Sequence, residues 1–251
     1  MTLHLATSIA DRKGELYQKL TQILPGLLTR FDSFSAQVTE ETDPDVLALL
    51  RRYHAAVDQL PANFDHIGMH RRRAVELALA SSGGQGTILY IDADHLLRWF
   101  EMDVAELDRV LNLLPDHDCS VIGRGPISFA ALPARLRETE RLVNHIFTLT
   151  TELSWDTLMA ARGLSIAAAT LVVSQSQVQT AGNDVDWPLL CMKHGLSMNY
   201  LEAEGLPYQT NRVYAADIDD EEDEDPVAWA LRIKVAHQQV EAMQTYFSDA
   251  D

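Results

Sequence analysis

Two aspartates separated by one residue form the sharpest chemical feature of the chain. Asp92 and Asp94 directly follow Thr87–Ile91, the most strand-like run in the sequence, and a helical pattern begins at about His95. In a parallel α/β sheet, ligands collect at the carboxyl ends of the strands. Two carboxylates at such an end can share one Mg²⁺ or Mn²⁺, which prefers oxygen ligands and bridges phosphates. We therefore predict that Asp92 and Asp94 bind a divalent metal ion.

The alternative for this pair is an ordinary solvated acidic turn. The same Asp-x-Asp spacing recurs in this acidic chain, for example at Asp43 and Asp45 and at Asp116 and Asp118. The spacing alone therefore has little specificity. What favours a functional pair is its position after an apolar strand, with a glycine-rich turn before that strand and a helix after the pair.

A basic triplet lies on the predicted helix that precedes this strand. Arg71, Arg72 and Arg73 are consecutive within residues 67–80. Three successive residues of a helix cannot all face the same way. We expect one or two of these guanidinium groups to reach the ligand edge of the sheet, where they can bind phosphate. The alternative is a solvated helix face whose charge is balanced by the acids of the chain.

A third acidic candidate lies in residues 182–188, where Asp184 and Asp186 precede or begin a predicted helix. A carboxylate at such a position suits either a general base or a helix N-cap. On the residues alone, a cap is the commoner role for at least one of the two acids. If the protein is an enzyme, we expect Asp184 to be the base and Asp186 to have the structural role. In that case the side chain of Asp184 should face the same cleft as the metal-binding pair and should not cap the helix.

The composition excludes several classes of protein. The 251 residues are 47% hydrophobic and carry a net charge of −17, so nucleic acid and anionic membrane surfaces are poor partners. The longest apolar run, residues 164–173, is shorter than the roughly 20 residues that a membrane span needs, so no transmembrane segment is expected. Two cysteines far apart in the sequence and an N-terminus without a basic leader favour a soluble, cytoplasmic protein.

Short β-rich runs alternate with helical patterns, which predicts an α/β fold with a mainly parallel sheet flanked by helices. Helices are predicted over residues 135–150 and 186–194, and the apolar run 164–173 is predicted to be a buried helix. The predicted strands are Leu3–Ile9, 34–39, 57–60, Thr87–Ile91, 120–123 and Met198–Ala203.

The composition changes after the main domain, which is predicted to comprise residues 1–216. Residues 217–225 are almost entirely acidic and are predicted to be a linker, because such a charge run cannot join a core. Within 226–251, apolar residues recur at helical spacing from Val227 and Leu231 onwards, which predicts an appended C-terminal amphipathic helix. We expect this helix to dock on the main domain or on a second copy of the chain, as a homo-oligomer.

Taken in order, these motifs resemble those of GT-A-fold glycosyltransferases, the nucleotide-diphospho-sugar transferases whose large family includes dolichol-phosphate mannose synthase. The resemblance spans residues 3–208. It departs from the family at Asn183, where Glu is usual, and in an acidic turn that lacks the family's glycine. The matching segments are the acidic turn 38–43, the helical segment 68–78, the Asp-x-Asp segment 91–94 and residues 182–186.

The resemblance implies a role for each candidate on the donor side. Glu40 or Glu41 would hold the nucleobase or the ribose, and an arginine among residues 71–73 would neutralise phosphate charge. Asp94 would bind the metal ion on the diphosphate. Asp92 would bind the ribose or the same metal ion.

The function implied is that of a metal-dependent glycosyltransferase, which moves a sugar from a nucleotide-diphosphate-sugar donor to an acceptor that the sequence does not identify. Asp184 would deprotonate the acceptor hydroxyl if the reaction inverts the anomeric centre. The alternative is a non-catalytic GT-A-like protein that binds a nucleotide-sugar or another partner, which Asn183 and the altered turn leave open. A nucleotidyltransferase is a more distant alternative, because its glycine-rich loop after the first strand is missing.

Overall fold

A seven-stranded sheet forms the centre of the protein. The computed structural model describes residues 2–206, 208 and 221–247. The strands are β1 (Leu3–Ile9), β2 (Ser33–Thr39), β3 (Ala56–Leu60), β4 (Thr87–Ile91), β5 (Cys119–Arg124), β6 (Ala161–Ser165) and β7 (Met198–Ala203). They lie in the order β3-β2-β1-β4-β6-β5-β7, and among them only β6 runs antiparallel to its neighbours. The predicted class, α/β with a mainly parallel sheet, is confirmed.

Helices cover both faces of the sheet, so an apolar layer forms on each side. Leu89 and Ile91 of β4 belong to one buried cluster, and Ile88 and Tyr90 belong to the other. This alternation explains the uninterrupted apolar sequence of β4.

Within the described ranges, no helix combines the length and the apolar character that crossing a bilayer requires. The helices are α1 (Tyr17–Leu27), α2 (Pro44–Arg52), α3 (Ile67–Ser81), α4 (Ala93–Met102), α5 (Val104–Leu113), α6 (Pro126–Ala130), α7 (Ala134–Thr151), α8 (Ile166–Gln175), α9 (Asn183–Lys193) and α10 (Pro226–Phe247).

The segment around residue 165 differs from the sequence prediction. Residues 164–173 are predicted as one helix, but β6 continues to Ser165 and α8 begins only after it. The Oγ of Ser165 accepts a hydrogen bond from the backbone N–H of Ala168 at 3.2 Å and caps α8. A short apolar run fits a strand or a helix equally well, so its pattern does not locate the boundary.

The C-terminal helix α10 packs against α7 and α9 of the same chain. Val235 and Met243 are buried there, whereas Val227 and Leu231, which begin the predicted apolar stripe, are exposed. The apolar face is therefore shorter than predicted. The helix docks on its own chain, and association with a second copy through α10 stays a prediction.

Part of the acidic run stabilises the start of α7. Asp223 accepts hydrogen bonds from the backbone N–H groups of Ala134 at 2.6 Å and Arg135 at 3.0 Å. A carboxylate at a helix N-terminus satisfies N–H groups that have no partner within the helix. Residues 217–220 lie outside the described residues, and the division of the chain into 1–216, 217–225 and 226–251 stays a prediction.

The two cysteines lie side by side although they are far apart in the sequence. Cys119 in β5 and Cys191 in α9 are buried free thiols that hydrogen-bond to each other. The contact depends on how α9 packs on the sheet, so the spacing of the cysteines in the sequence does not reveal it.

Candidate functional site

A cavity of about 240 Å³ opens at the carboxyl edge of the central strands. Ile91, the last residue of β4, lies opposite Ala161, the first residue of the antiparallel β6. The end of one strand and the start of the other therefore meet at this edge, where Met159 and Ala160 line the cavity. Charged side chains of both signs also line it, namely Arg71, Asp94, Arg124, Glu140, Asp184 and Arg232.

Arg71 on α3 joins the two acidic segments of the site. Its Nη2 donates to Oδ2 of Asp92 at 2.7 Å. Its Nη1 donates to Oδ1 of Asp184 at 2.8 Å and to Oδ1 of Asn183 at 3.1 Å. Burial alone would lower the pKa of Arg71, but the carboxylates of Asp92 and Asp184 raise it above its ordinary value. The guanidinium therefore stays charged and holds both acids.

Asp92 is held by the protein itself. Its Oδ1 accepts hydrogen bonds from Ser8 Oγ at 2.9 Å, Tyr90 Oη at 2.5 Å and Arg71 Nε at 3.3 Å. Burial raises the pKa of this carboxyl, but the Arg71 guanidinium outweighs burial, and the pKa lies below its ordinary value. Asp94 lines the cavity and Asp92 does not. A ribose or metal contact for Asp92 stays a prediction, and Asp94 is the better placed of the two.

Asp94, in the first turn of α4, offers a carboxylate to the cavity. This carboxylate forms no hydrogen bond or ion pair with any residue that the structure describes. The adjacent His95 also lines the cavity, and its Nδ1 is buried without a partner in the described part of the chain.

These donors do not make a complete metal site by themselves. No group of three or more His, Cys, Asp or Glu side chains suited to a metal ion occurs within the described ranges. Mg²⁺, however, commonly binds through one or two carboxylates and takes its other ligands from water and substrate phosphates. Asp94 and its surroundings therefore fit a Mg²⁺ or Mn²⁺ ion that binds together with a diphosphate.

Asp184 lies in the first turn of α9 and lines the same cavity as Asp94. Its Oδ1 accepts from Arg71 and its Oδ2 accepts from Nε2 of Gln239 at 3.2 Å, so the side chain does not cap α9. Burial raises the pKa of this carboxyl above its ordinary value, although Arg71 and Arg162 oppose the shift. Asp184 therefore shares the cavity with Asp94 but not with Asp92, and its catalytic role stays a prediction.

Asp186, the second acid of this segment, joins parts of the framework. Its Oδ2 accepts a hydrogen bond from Ser176 Oγ at 2.6 Å, and its Oδ1 accepts one from Tyr246 Oη at 3.0 Å. These bonds connect α9 to the end of α8 and to α10. The structural role expected for Asp186 matches these contacts.

The three arginines of the triplet contact different parts of the protein. Arg72 donates to the backbone carbonyl of Ser176 at 2.9 Å, and Arg73 pairs with Asp58 of the edge strand β3 at 2.6 Å. Each residue of an α-helix is rotated by about 100° from the one before, so only Arg71 of the three lines the cavity. Contact of Arg72 or Arg73 with phosphate stays a prediction, and the structure does not bring either to the cavity.

Glu40 and Glu41 lie in the exposed turn after β2 and do not line the cavity. The Oε2 of Glu41 is 3.9 Å from Nη1 of Arg12. β2 and β4 both run parallel to β1, which lies between them, so this turn is at the same edge of the sheet as the cavity. Contact of Glu40 and Glu41 with a nucleobase or ribose stays a prediction.

Several cavity residues were not predicted from the sequence. Arg124, the last residue of β5, pairs with Asp156 at 2.7 Å and with Glu140, and Arg232 of α10 also pairs with Glu140, at 2.8 Å. Arg124 could have been noted, because it directly follows the predicted strand 120–123, as Asp92 follows the predicted strand Thr87–Ile91. Arg232 and Gln239 lie on the helix that is predicted to be an appendage, and no local pattern marks them.

Solved structures match the chain over nearly its whole length, whereas no family model and no curated protein matches it. A glucosyl-3-phosphoglycerate synthase from Mycobacterium tuberculosis, in complex with Mn²⁺, uridine-diphosphate-glucose and phosphoglyceric acid, is 13% identical with a TM-score of 0.57; the match covers 97% of this chain and 80% of that chain. The same synthase in complex with uridine-diphosphate is 14% identical with a TM-score of 0.54, covering 96% of this chain and 80% of that chain. A mycobacterial protein is 12% identical with a TM-score of 0.60, covering 98% of this chain and 74% of that chain.

These likenesses establish the fold. Together with the strand order and the antiparallel β6, they show that the chain has the GT-A, nucleotide-diphospho-sugar transferase fold that its motifs resemble. The sequence identities to these structures, 12–14%, are too low to show that this chain shares their activity. The argument for function therefore rests on the geometry of the site itself.

Proposed function

We propose that the protein is a metal-dependent glycosyltransferase, which moves a sugar from a nucleotide-diphosphate-sugar to a hydroxyl group of an acceptor. The observation that carries the proposal is the convergence of Asp94, Arg71 and Asp184 on one cavity at the carboxyl edge of a GT-A sheet. They supply a carboxylate for a metal ion, a fixed positive charge and a buried acid of raised pKa. Such groups serve the charge stabilisation and the proton transfer that a sugar transfer requires.

The donor would lie along the carboxyl edge, from the turn after β2 to the cavity. Glu40 and Glu41 would contact the nucleobase or ribose, and Asp94 would bind the Mg²⁺ or Mn²⁺ on the diphosphate. When bound, the metal ion would stabilise the negative charge of the nucleoside diphosphate as its bond to the sugar breaks. The synthase of similar fold, solved with Mn²⁺ and uridine-diphosphate-glucose, supports this choice of donor and metal.

The size of the cavity indicates which part of the substrates it holds. Its volume of about 240 Å³ is below the ~300–1,000 Å³ of pockets that enclose drug-sized ligands. A whole nucleotide-sugar does not fit such a space. The cavity would therefore enclose the transferred sugar and the acceptor hydroxyl, and the nucleotide would lie outside it.

If the reaction inverts the anomeric centre, Asp184 would take the proton of the acceptor hydroxyl as the acceptor oxygen attacks the sugar carbon. A general base works best when its pKa lies near the working pH, and burial moves the pKa of Asp184 in that direction. Arg71 holds Oδ1 of Asp184 in place and is itself fixed by Asp92. In this arrangement Asp92 supports the base through Arg71.

One observation favours a second candidate, a GT-A-like protein that binds a nucleotide-sugar without transferring its sugar. Asp184 forms a buried ion pair with Arg71 at 2.8 Å. An opposite charge at this distance favours the ionised carboxylate and weakens it as a base. Donor binding without turnover would select this candidate.

A thermal-shift panel of nucleotide-sugars, with and without Mn²⁺, tests the donor site. A ligand that binds only the folded protein raises its stability by RT ln(1 + [L]/Kd), so weak binding is measurable. We expect a nucleotide-sugar such as uridine-diphosphate-glucose to raise the Tm only when Mn²⁺ is present, and Asp94→Asn to abolish that shift. Asp116→Asn is the matched control, because Asp116 belongs to an Asp-x-Asp pair outside the cavity. A shift that persists in Asp94→Asn would contradict the metal role.

Release of nucleoside diphosphate in the presence of a panel of hydroxyl acceptors separates the two candidates. The transferase proposal expects wild-type protein to release nucleoside diphosphate with at least one acceptor. It also expects Asp184→Asn to bind the donor normally and to release none above background. A wild-type protein that binds the donor but releases nothing with any acceptor of the panel would support the binding protein instead.

A further inference from the structure

The helix α10, predicted to be an appendage, forms part of the wall around Asp184. It crosses the start of α9 so closely that Gly182 has no room for a side chain. A Cβ at this position would lie 2.7 Å from the carbonyl oxygen of Gln238 and 2.8 Å from the Cβ of Ala242. On the same helix, Gln239 lines the cavity. Packing this close holds α10 in a fixed position over the segment that carries Asp184.

Gln239 binds the oxygen of Asp184 that Arg71 does not bind. Its Nε2 donates to Oδ2 at 3.2 Å, while Arg71 donates to Oδ1 at 2.8 Å. The two donors come from different elements, α10 and α3, and together they fix both oxygens of the carboxylate. Two further charges face Asp184: Arg162 of β6, which donates to its backbone carbonyl at 2.7 Å, and Asp92 after β4.

The oxygen of the Gln239 amide is unpaired. Oε1 is buried and has no hydrogen-bond partner in the described part of the chain, and the residue is only 2% exposed. Burying an acceptor without a partner costs stability, and buried polar atoms are nearly always paired. A glutamine that only joined α10 to α9 would be more stable with both ends paired. The adjacent Gln238 also has a buried Oε1 without a partner among the described residues. Of the two, however, Gln239 is the one whose amide lines the cavity and contacts the carboxylate of Asp184, so its free oxygen lies beside a group that can gain a proton.

We propose that Gln239 is a positioning residue, which keeps Asp184 hydrogen-bonded in both of its protonation states. The inference rests on the proposed role of Asp184 as the base. In the transfer step the acceptor O–H bond breaks and its proton goes to Oδ2 of Asp184. The acceptor oxygen uses the freed electron pair to bond to the sugar carbon, and the nucleoside diphosphate leaves with the electrons of its own bond to that carbon. The Gln239 amide then turns over, and Oε1 accepts a hydrogen bond from the new O–H of Asp184.

NMR of the protein without substrates tests this coupling directly. The carboxyl carbon of Asp184 reports its titration, and we expect the side-chain NH₂ signals of Gln239 to shift with pH at the same midpoint. Gln238 is the matched control, because it is adjacent and buried but donates to Asp65 instead, at 3.1 Å. The signals of Gln238 should not follow the midpoint of Asp184.

Two substitutions of equal size give a second measurement. Gln239→Met removes the donor and keeps the approximate length of the side chain. We expect it to raise the pKa of Asp184 by roughly 0.5–1 unit, because a hydrogen bond to the carboxylate is stronger than one to the neutral acid. Gln238→Met should leave that pKa unchanged. In an active enzyme, Gln239→Met should lower kcat and leave the donor KM unchanged.

The outcomes separate this inference from the proposed function. Signals of Gln239 that do not follow Asp184 would overturn the inference, as would equal pKa values of Asp184 in Gln239→Met and in wild type. The NH₂ signals of Gln239 could follow the titration of Asp184 in a protein that releases no nucleoside diphosphate. That result would contradict the proposed transferase activity and leave the pairing of Gln239 with Asp184 intact.

Discussion

Replacing Gly182 by alanine tests whether close packing holds α10 against the site. Gly182 has φ −57° and ψ −17°, a conformation that alanine adopts without strain. Any effect of the substitution therefore comes from the added Cβ, which would lie 2.7 Å from the Gln238 carbonyl oxygen. Ordinary contact begins at 3.4 Å, so α10 must move away by about 0.7 Å.

A displacement of this size should change both stability and the site. Overpacking lowers the free energy of unfolding by about 1–3 kcal/mol, and the stiffer unfolded chain of the alanine variant offsets about 0.4–1 kcal/mol of this. From the middle of both ranges, we expect a net loss of about 1–2 kcal/mol, or about 2–8 °C in Tm for a protein of this size. The bond from Gln239 to Asp184, already 3.2 Å long, would lengthen beyond hydrogen-bonding range.

Urea denaturation and the NMR titration of Asp184 measure the two effects separately. Gly26→Ala is the control, because Gly26 lies in α1 and a Cβ there would meet only the ring of Phe100, at 3.2 Å. We expect Gly182→Ala to lose stability and to raise the pKa of Asp184, as Gln239→Met does, and Gly26→Ala to leave that pKa unchanged. A Gly182→Ala protein with wild-type stability and an unchanged titration of Asp184 would refute the idea that this contact supports the site.

Three further substitutions test other contacts. Arg71→Met leaves Asp92 and Asp184 as buried carboxylates without their partner and should lower the free energy of unfolding by about 3–5 kcal/mol; a loss below about 1 kcal/mol in urea would contradict the role of this ion pair. Because the pKa of Asp184 is raised in the folded state, the folded protein binds more protons than the unfolded chain between the ordinary and the raised pKa. Wild-type stability should therefore fall as pH rises through that window, and Asp184→Asn should remove this part of the slope in urea titrations from about pH 4 to 8. Asp223→Ala removes the acceptor at the start of α7 and should cost about 1 kcal/mol, measured as a lower Tm, whereas the exposed control Glu224→Ala should cost nothing.

The fold could be predicted from the sequence wherever the local pattern was strong. Thr87–Ile91 is bounded by Gly86 and Asp92, and the structure has β4 with the same bounds. β6 was missed, because a strand of five residues that contains Arg162 and Gly163 has neither an apolar run nor a clear alternation. Its antiparallel direction depends on pairing with β4 and β5, which are distant in the sequence.

The site could be predicted only where a residue's role depends on its place within one element. Asp94 and Asp184 were identified because one follows an apolar strand and the other begins a helix. The sequence could not show which of Arg71, Arg72 and Arg73 faces the site, because the rotation of α3 relative to the sheet depends on its packing and not on the local sequence. Gln239 could not be found at all, since its contact with Asp184 depends on the approach of α10 at Gly182.

The position of α10 also has a kinetic consequence. Besides covering Asp184, this helix reaches a distant part of the chain, where Gln238 and Lys234 both contact Asp65, at 3.1 and 2.5 Å. Bringing such distant segments together has an entropic cost, and peripheral units of a protein open more readily than its central sheet. We therefore expect α10 to detach and return while the sheet stays folded, on a timescale that hydrogen exchange can measure. While α10 is detached, Asp184 lacks its hydrogen bond from Gln239, so the open fraction would set how often Arg71 alone holds that carboxylate through its side chain.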